Sequence, residues 1–239
     1  MEGRTGNQSE KQVAVVTGGN RGIGLEICKQ LASNGVTVVL TARDEKRGAE
    51  AVSTLGLSNV VFHELDVSDP SSAARLADFI KEKFGKLDIL VNNAGITGTT
   101  WSVGDPEIFR QKFFSGDELK AELNNIDSLS EQRLDELSEL FLRDFDDGLL
   151  EARGWPTGGF SAYKVSKALV NAYSRILAKD HPSLCINCVH PGYVQTDMNF
   201  HAGDLPVEEG VRGVLMMAMA PKGGVTGAYL DKTKVVSFV

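Results

Sequence analysis

The stretch VAVVTGGNRGIG, residues 13–24, decides the fold. Four apolar residues and a threonine run directly into a turn that holds Gly18, Gly19, Gly22 and Gly24, and helix formers follow at once. A buried strand that feeds a glycine turn and then a helix offers backbone N–H groups and the positive end of a helix dipole to a phosphate. Gly18 permits the turn, Gly22 lets backbone approach a pyrophosphate, and Gly24 lets helix and strand pack closely. The spacing is not Gly-x-Gly-x-x-Gly, so a bare glycine turn stays open as the alternative at this stage.

Working outward, VTVVLT at 36–41, NVVFHEL at 59–65 and LDILVN at 87–92 are further apolar runs of the kind expected for strands buried on both faces. Helix formers fill 22–34, 45–55 and 71–84, and Pro70 suits the first turn of the third helix. Alternating strands and helices predict a parallel sheet with right-handed crossovers. Beyond residue 160 the pattern resumes: a helix from about Ala162 to Lys179, a strand at 184–189, a helix near 207–219 and a short strand near 225–230. The expected fold is therefore α/β, a Rossmann-like doubly wound parallel sheet in a single domain over residues 12–239, behind a flexible N-terminus at 1–11.

Residues 96–160 break the pattern. Residues 96–162 hold 14 acidic and 6 basic side chains, which concentrates the whole acidic surplus of the chain there. Leu134, Leu137, Phe141 and Phe145 recur at helical spacing beyond a capping pair of Ser128 and Glu131, which predicts an amphipathic helix with a solvated charged face. No window of five in this segment joins β-branched or aromatic residues as the strands do, so no strand is expected.

Composition narrows the function. The 239 residues are 42% hydrophobic, enough for a sizeable core, and carry a net charge of −7, which disfavours nucleic acid and anionic membrane surfaces as partners. No apolar run is long enough to span a bilayer, and residues 1–11 lack the apolar stretch of a signal peptide, so a cytoplasmic protein is expected. Cys28, Cys185 and Cys188 are too few for a disulfide scaffold. Cys185 and Cys188 lie in the strand-like run LCINCV, where side chains three apart diverge, which favours a buried core over a metal or redox pair; no metal site is expected.

Several short stretches carry chemistry. The second strand ends in Thr41, Ala42 and Arg43, where a site preferring NAD usually places an acidic side chain; Arg43 with Arg21 can instead hold the 2′-phosphate of NADP(H), against the alternative of two solvated arginines. NNAG at 92–95 closes the fourth strand, on the edge where open α/β sheets bind ligands, and reads otherwise as an ordinary turn. Tyr163 and Lys167 lie four apart on one helix face, and an ammonium beside a phenol favours the phenolate, which would let Tyr163 exchange a proton with a carbonyl or alcohol oxygen. PGYVQT at 191–196 follows a strand, where backbone and Thr196 can meet a cofactor amide. Trp155, Tyr193 and Met198 are candidates to line a pocket for a small apolar carbonyl compound, or else simply pack.

Taken in order, TGGNRGIG, NNAG, YKVSK at 163–167 and PGYVQT resemble the short-chain dehydrogenase/reductases over nearly the whole chain outside residues 96–160. With the stretch FLRDFDDGLLEARGWPTGGFSAYKVSK, the chain resembles more narrowly the flap-bearing plant salutaridine reductase and neomenthol dehydrogenase group, close to carbonyl reductases. The resemblance implies that Tyr163 is the acid/base and that Lys167 tunes it and holds the nicotinamide ribose. It implies cofactor contacts at Gly18, Asn20, Arg21, Gly22, Ile23, Gly24, Arg43, Asp66, Val67, Asn93, Ala94, Gly95, Pro191, Gly192, Val194 and Thr196. It also implies an NADPH-dependent oxidoreductase that reduces a ketone or aldehyde, or oxidises the alcohol, as a monomer.

The chain departs from that family in one place. The family's catalytic serine ends a fifth strand, and a relay asparagine sits on the helix before it; here WSVGDPEIFRQKFF passes straight into SGDELKAELNNID, which matches the flap. Ser161 matches a helix start, and Asn124 and Asn125 match the flap, so none replaces the lost pair. The expectation is a sheet with a central gap. A competing expectation follows, that of a non-catalytic NADP(H)-binding or unstable truncated isoform.

Overall fold

The computed structural model describes residues 11–96 and 116–237. Its contacts fall into two compact units: Met1–Gly95 with Val194–Asp197 and Gly203–Ala218, and Ile96–Tyr193 with Met198–Ala202 and Met219–Val239.

The first unit alternates β1 (Val13–Val16), α1 (Gly22–Ser33), β2 (Thr37–Ala42), α2 (Glu45–Leu55), β3 (Val60–Glu64), α3 (Pro70–Phe84) and β4 (Ile89–Val91). All ladders are parallel and the order is β3-β2-β1-β4, with Val15 opposite both Val39 and Leu90. The α/β reading therefore holds through this half. Apolar runs bury both faces of the sheet: Ala14, Val16, Val38 and Leu40 pack with Ile27, Cys28 and Leu31 of α1, while Val15 and Val39 pack with Leu76 and Ile80 of α3. The Asp44 and Asp69 carboxylates cap α2 and α3, accepting the N–H groups of Arg47 and Ser71 respectively.

Strand β4 is an edge of this sheet, and it is shorter than the run at 87–92 predicts. Leu90 in its middle is 55% exposed. A run read as buried on both faces is thus open at its last strand, where no ladder continues beyond it among the described residues.

The second unit holds α4 (Asp117–Asn124), α5 (Glu131–Asp146), α6 (Ser161–Asp180), β5 (Cys188–His190), β6 (Tyr229–Asp231) and β7 (Lys234–Val236). Its three strands form a separate sheet, β5-β6-β7, parallel and then antiparallel. Leu134, Leu137 and Phe141 of α5 pack with Val165, Ala168, Ala172 and Ile176 of α6 and with Leu123 of α4, so the acidic segment has its own core. Described residues 116–160 contain helices and no strand. Residues 97–115, on which the same expectation falls, lie outside the described residues.

Several expectations need correction here. The cap of α5 is Ser130, whose hydroxyl accepts the Arg133 N–H, and not the Ser128–Glu131 pair, because the helix starts two residues later than a Ser128 cap requires. Phe145 continues the sequence stripe but is 52% exposed, since the helix has turned its last apolar position past the core. Cys185 is exposed and Cys188 half-buried, because β5 covers only 188–190 rather than 184–189, so the pair is not a buried core. Neither α4 nor β7 was anticipated.

Candidate active site

Unit one gathers most of the residues assigned to nucleotide binding. Gly18 (φ +63°) and Gly22 (φ +53°) adopt left-handed backbone that favours glycine. Gly24 sits so close beneath the turn that a Cβ there would overlap the Gly18 carbonyl oxygen and stand 2.5 Å from Asn93 Nδ2. Gly22 lies against Thr196, whose Cγ2 is 3.4 Å from the position of an added Cβ. Asn93 ties the fourth strand to the glycine turn, its amide donating to the carbonyl oxygens of Thr17 at 2.9 Å and Gly18 at 3.2 Å. Thr17 completes the joint: its hydroxyl oxygen accepts the backbone N–H groups of Asn93 and Ala94, each at 2.9 Å. Sequence reading passed over Thr17, although its place between β1 and Gly18 was the available signal.

The turn is built to accept an anion. Arg21 occupies the N-cap of α1 with no side-chain hydrogen bond to the helix, and the first turn carries no acidic residue. A phosphate that accepts those N–H groups and gains from the helix dipole fits this donor set. Arg21 and Arg43 are both exposed. Asp44, next to Arg43, accepts the Arg47 N–H at 2.9 Å as the cap of α2, so its carboxylate is already engaged within its own helix. Asp66 is held below the ordinary aspartate range by the Ser68 hydroxyl and N–H and, more weakly, by the Arg43 guanidinium, while desolvation opposes them. Val67 is exposed, Asn20, Ile23 and Ala94 are half-buried, Gly95 is exposed, and Val194 is buried against Gly210.

Unit two holds Tyr163 and Lys167 on the first turns of α6. The Lys167 ammonium lies over the Tyr163 ring, 5.7 Å from its centroid. Burial raises the Tyr163 pKa above its usual value and lowers that of Lys167. This reverses the expected direction for Tyr163: desolvation of the phenolate outweighs any help from the ammonium, because Lys167 meets the ring face and makes no hydrogen bond to the hydroxyl. Tyr229 of β6 is near enough to Tyr163 that the negative charges of the two phenolates oppose each other. Nothing in the sequence signalled that neighbour, since only the fold joins positions so far apart. Pro191, Gly192 and Tyr193 follow β5 and are half-buried, with Gly192 at φ +87°.

Trp155 belongs to the core of the helical unit. It is 2% exposed in the helical core, stacks edge-on against Phe141 with ring centroids 5.4 Å apart, and donates its indole N–H to the buried Asp144 carboxylate at 2.7 Å. Met198 is exposed. No group of acidic, histidine and cysteine side chains suited to a metal occurs among the described residues.

A parallel β-α-β unit with this glycine turn defines a Rossmann-type protein. Residues 12–113 match the family model described as short chain dehydrogenase. The chain is 40% identical to short-chain dehydrogenase/reductase 1 of Saponaria officinalis, over 96% of this chain and 97% of that protein, and 33% identical to carbonyl reductase [NADPH] 1 of Rattus norvegicus, over 95% and 98%. The solved structure of salutaridine reductase from Papaver somniferum superposes with a TM-score of 0.84 at 36% identity, covering 92% of this chain and all of that one. This chain belongs to the short-chain dehydrogenase/reductase family. Its alignment with the Saponaria protein runs over 294 positions, whereas 96% of 239 residues is about 229, so about 65 positions of that relative have no counterpart here.

Proposed function

We propose that this chain binds NADP(H) and carries the acid/base of a ketone or aldehyde reductase, with turnover well below that of longer relatives. The observation that carries the reading is the joint of Thr17, Gly18, Gly24 and Asn93, a phosphate-accepting turn braced from the next strand. Arg43 and Arg21 favour the 2′-phosphate, since Ala42 supplies no carboxylate for the ribose and Asp44 caps α2. A relative named as an NADPH carbonyl reductase supports the same cofactor. When bound, NADPH supplies the hydride that reduces the carbonyl carbon. Tyr163 then gives its phenolic proton to the carbonyl oxygen, and Lys167, over the ring, balances the negative charge that develops. The substrate is a small apolar carbonyl compound, and the protein acts as a cytoplasmic monomer.

Low turnover follows from what the acidic segment holds. Described residues 116–160 are helical and supply no strand to aim a serine beside Tyr163, and about 65 positions of the Saponaria relative are missing. A purely nucleotide-binding protein is the second reading, favoured by the same observation. Titration of NADPH and NADH by fluorescence, paired with NADPH oxidation on a panel of apolar ketones, separates the two. Binding with slow, Tyr163-dependent oxidation supports the first; binding without oxidation supports the second; no binding of either nucleotide overturns both.

A further inference from the structure

Helix α5 presents two faces, and only one is used. Leu134, Leu137 and Phe141 enter the core with Trp155. On the opposite side Asp135, Glu139, Leu142 and Asp146 follow one another at spacings of four, three and four, which places them on a single ridge. Leu142 is 58% exposed in the middle of those carboxylates, Phe145 one ridge over is 52% exposed, and Leu149 just past the helix is 37% exposed. Glu139, Asp146 and Asp147 beside them are exposed and engaged in no ion pair among the described residues; Arg143 is the one cation on this side of the last turns of the helix. Glu122 and Glu136, by contrast, are tied up by Arg133. In the last turns of α5, Glu139, Asp146 and Asp147 lie beside the apolar row without an ion-pair partner among the described residues.

A solvated helix face keeps its large apolar side chains inside, and a surface made for another acidic protein would not ring them with unneutralised carboxylates. We propose that the exposed flank of the last turns of α5, with Leu142, Phe145 and Leu149 as anchors and Glu139, Asp146 and Asp147 as the rim on its solvent side, docks a basic amphipathic segment of a partner protein. Its complement is a helix with apolar residues at spacings of three and four flanked by Lys or Arg, which is the helix-on-helix mode of peptide recognition. Charge decides against a second copy as occupant: the acidic segment and the whole chain, at net −7, are both negative, so copies repel while a basic segment is steered in.

The probe is a synthetic peptide of roughly 18 residues with Leu on one helical face and Lys on the others, labelled for fluorescence anisotropy against the full chain. Two controls carry the test: the same composition scrambled so that no apolar face forms, and the same pattern with Glu for Lys. Saturable binding of the first peptide only is expected, weakened at least about fivefold between low and high salt as the rim charges are screened. Leu142→Ser with Phe145→Ser should weaken it about tenfold or more, with helix content by circular dichroism and tryptophan emission unchanged. Glu139→Gln, Asp146→Asn and Asp147→Asn together, all exposed and foreign to the core, should abolish most of the salt dependence; this second variant keeps the test open if the first unfolds. Equal binding of the scrambled peptide, no binding at all, or wild-type affinity in both variants overturns the proposal. Sedimentation of the free protein as a dimer that Leu142→Ser with Phe145→Ser dissociates would also overturn it, because the face would then belong to a second copy.

Discussion

Lys167 lies 5.7 Å from the centroid of the Tyr163 ring and shares no hydrogen bond with its hydroxyl. The phenol is half-buried and desolvation raises its pKa, so the proton stays on Tyr163 across the neutral range. A ketone reductase needs that protonated form and the reverse oxidation needs the phenolate. Reduction, measured as kcat/KM, should therefore stay flat from neutral pH to beyond the ordinary tyrosine value, whereas alcohol oxidation should keep rising as pH rises through the same range. A plateau in the oxidation rate near neutral pH would mean that Tyr163 has a lowered pKa in the loaded enzyme and would overturn this expectation.

Arg43 sets the cofactor preference. A charge-assisted pair contributes about 1.5 to 3 kcal/mol, so Arg43→Ala should weaken NADPH about tenfold or more and leave NADH nearly unchanged. Titration of both nucleotides checks this, and an equal loss for both would remove Arg43 from the 2′-phosphate.

Close packing at Gly24 gives a sharper test. A methyl group there meets the Gly18 carbonyl and the Asn93 amide together. Overpacking of this kind costs about 1 to 3 kcal/mol, so Gly24→Ala should lower the urea midpoint and loosen nucleotide binding in the same variant. Gly35→Ala meets no neighbour but a positive φ of +87°, so it should lower stability alone and leave nucleotide affinity intact.

Trp155 and Asp144 hold the helical unit together. Trp155→Phe leaves the buried Asp144 carboxylate without the indole N–H donor, which costs about 1 to 3 kcal/mol or more for a charged group. Asp144→Leu with Trp155→Phe removes both partners and should recover part of the loss. Chemical denaturation of the two variants checks the order, and a double variant less stable than the single one would show that Asp144 has another role.

Turnover should fall at least about a thousandfold below a longer relative on a shared ketone. One lost oxyanion-type donor costs about 10² to 10³ in rate, and a misplaced reaction centre adds on the order of 10². Tyr163→Phe should remove whatever oxidation of NADPH remains. Grafting the missing helix and strand from a relative should restore rate, while a single added serine should not, since no strand among described residues 116–160 aims it. Turnover within tenfold of the relative would mean that another residue has replaced the serine, with Tyr229 the first to test.

Local pattern was enough for the nucleotide-binding half. Each strand from Val13 to Val91 is an apolar run between glycines or caps and each helix has a spaced apolar face, so the alternation of parallel strands and crossover helices follows from short-range physics, whereas the order β3-β2-β1-β4 is settled only in the folded sheet. The glycine turn, the Tyr163–Lys167 spacing and the lack of a strand over 116–160 were legible for the same reason: each is written within a few residues. Tertiary structure decided the rest. Whether Lys167 lowers the Tyr163 pKa depends on burial against ring contact, whether Phe145 is core or surface depends on where α6 ends its contact with α5, and whether Trp155 lines a pocket depends on Asp144 being buried beside it. Burial and electrostatic balance are set by every neighbour in space at once, and a run of neighbours along the chain does not contain them.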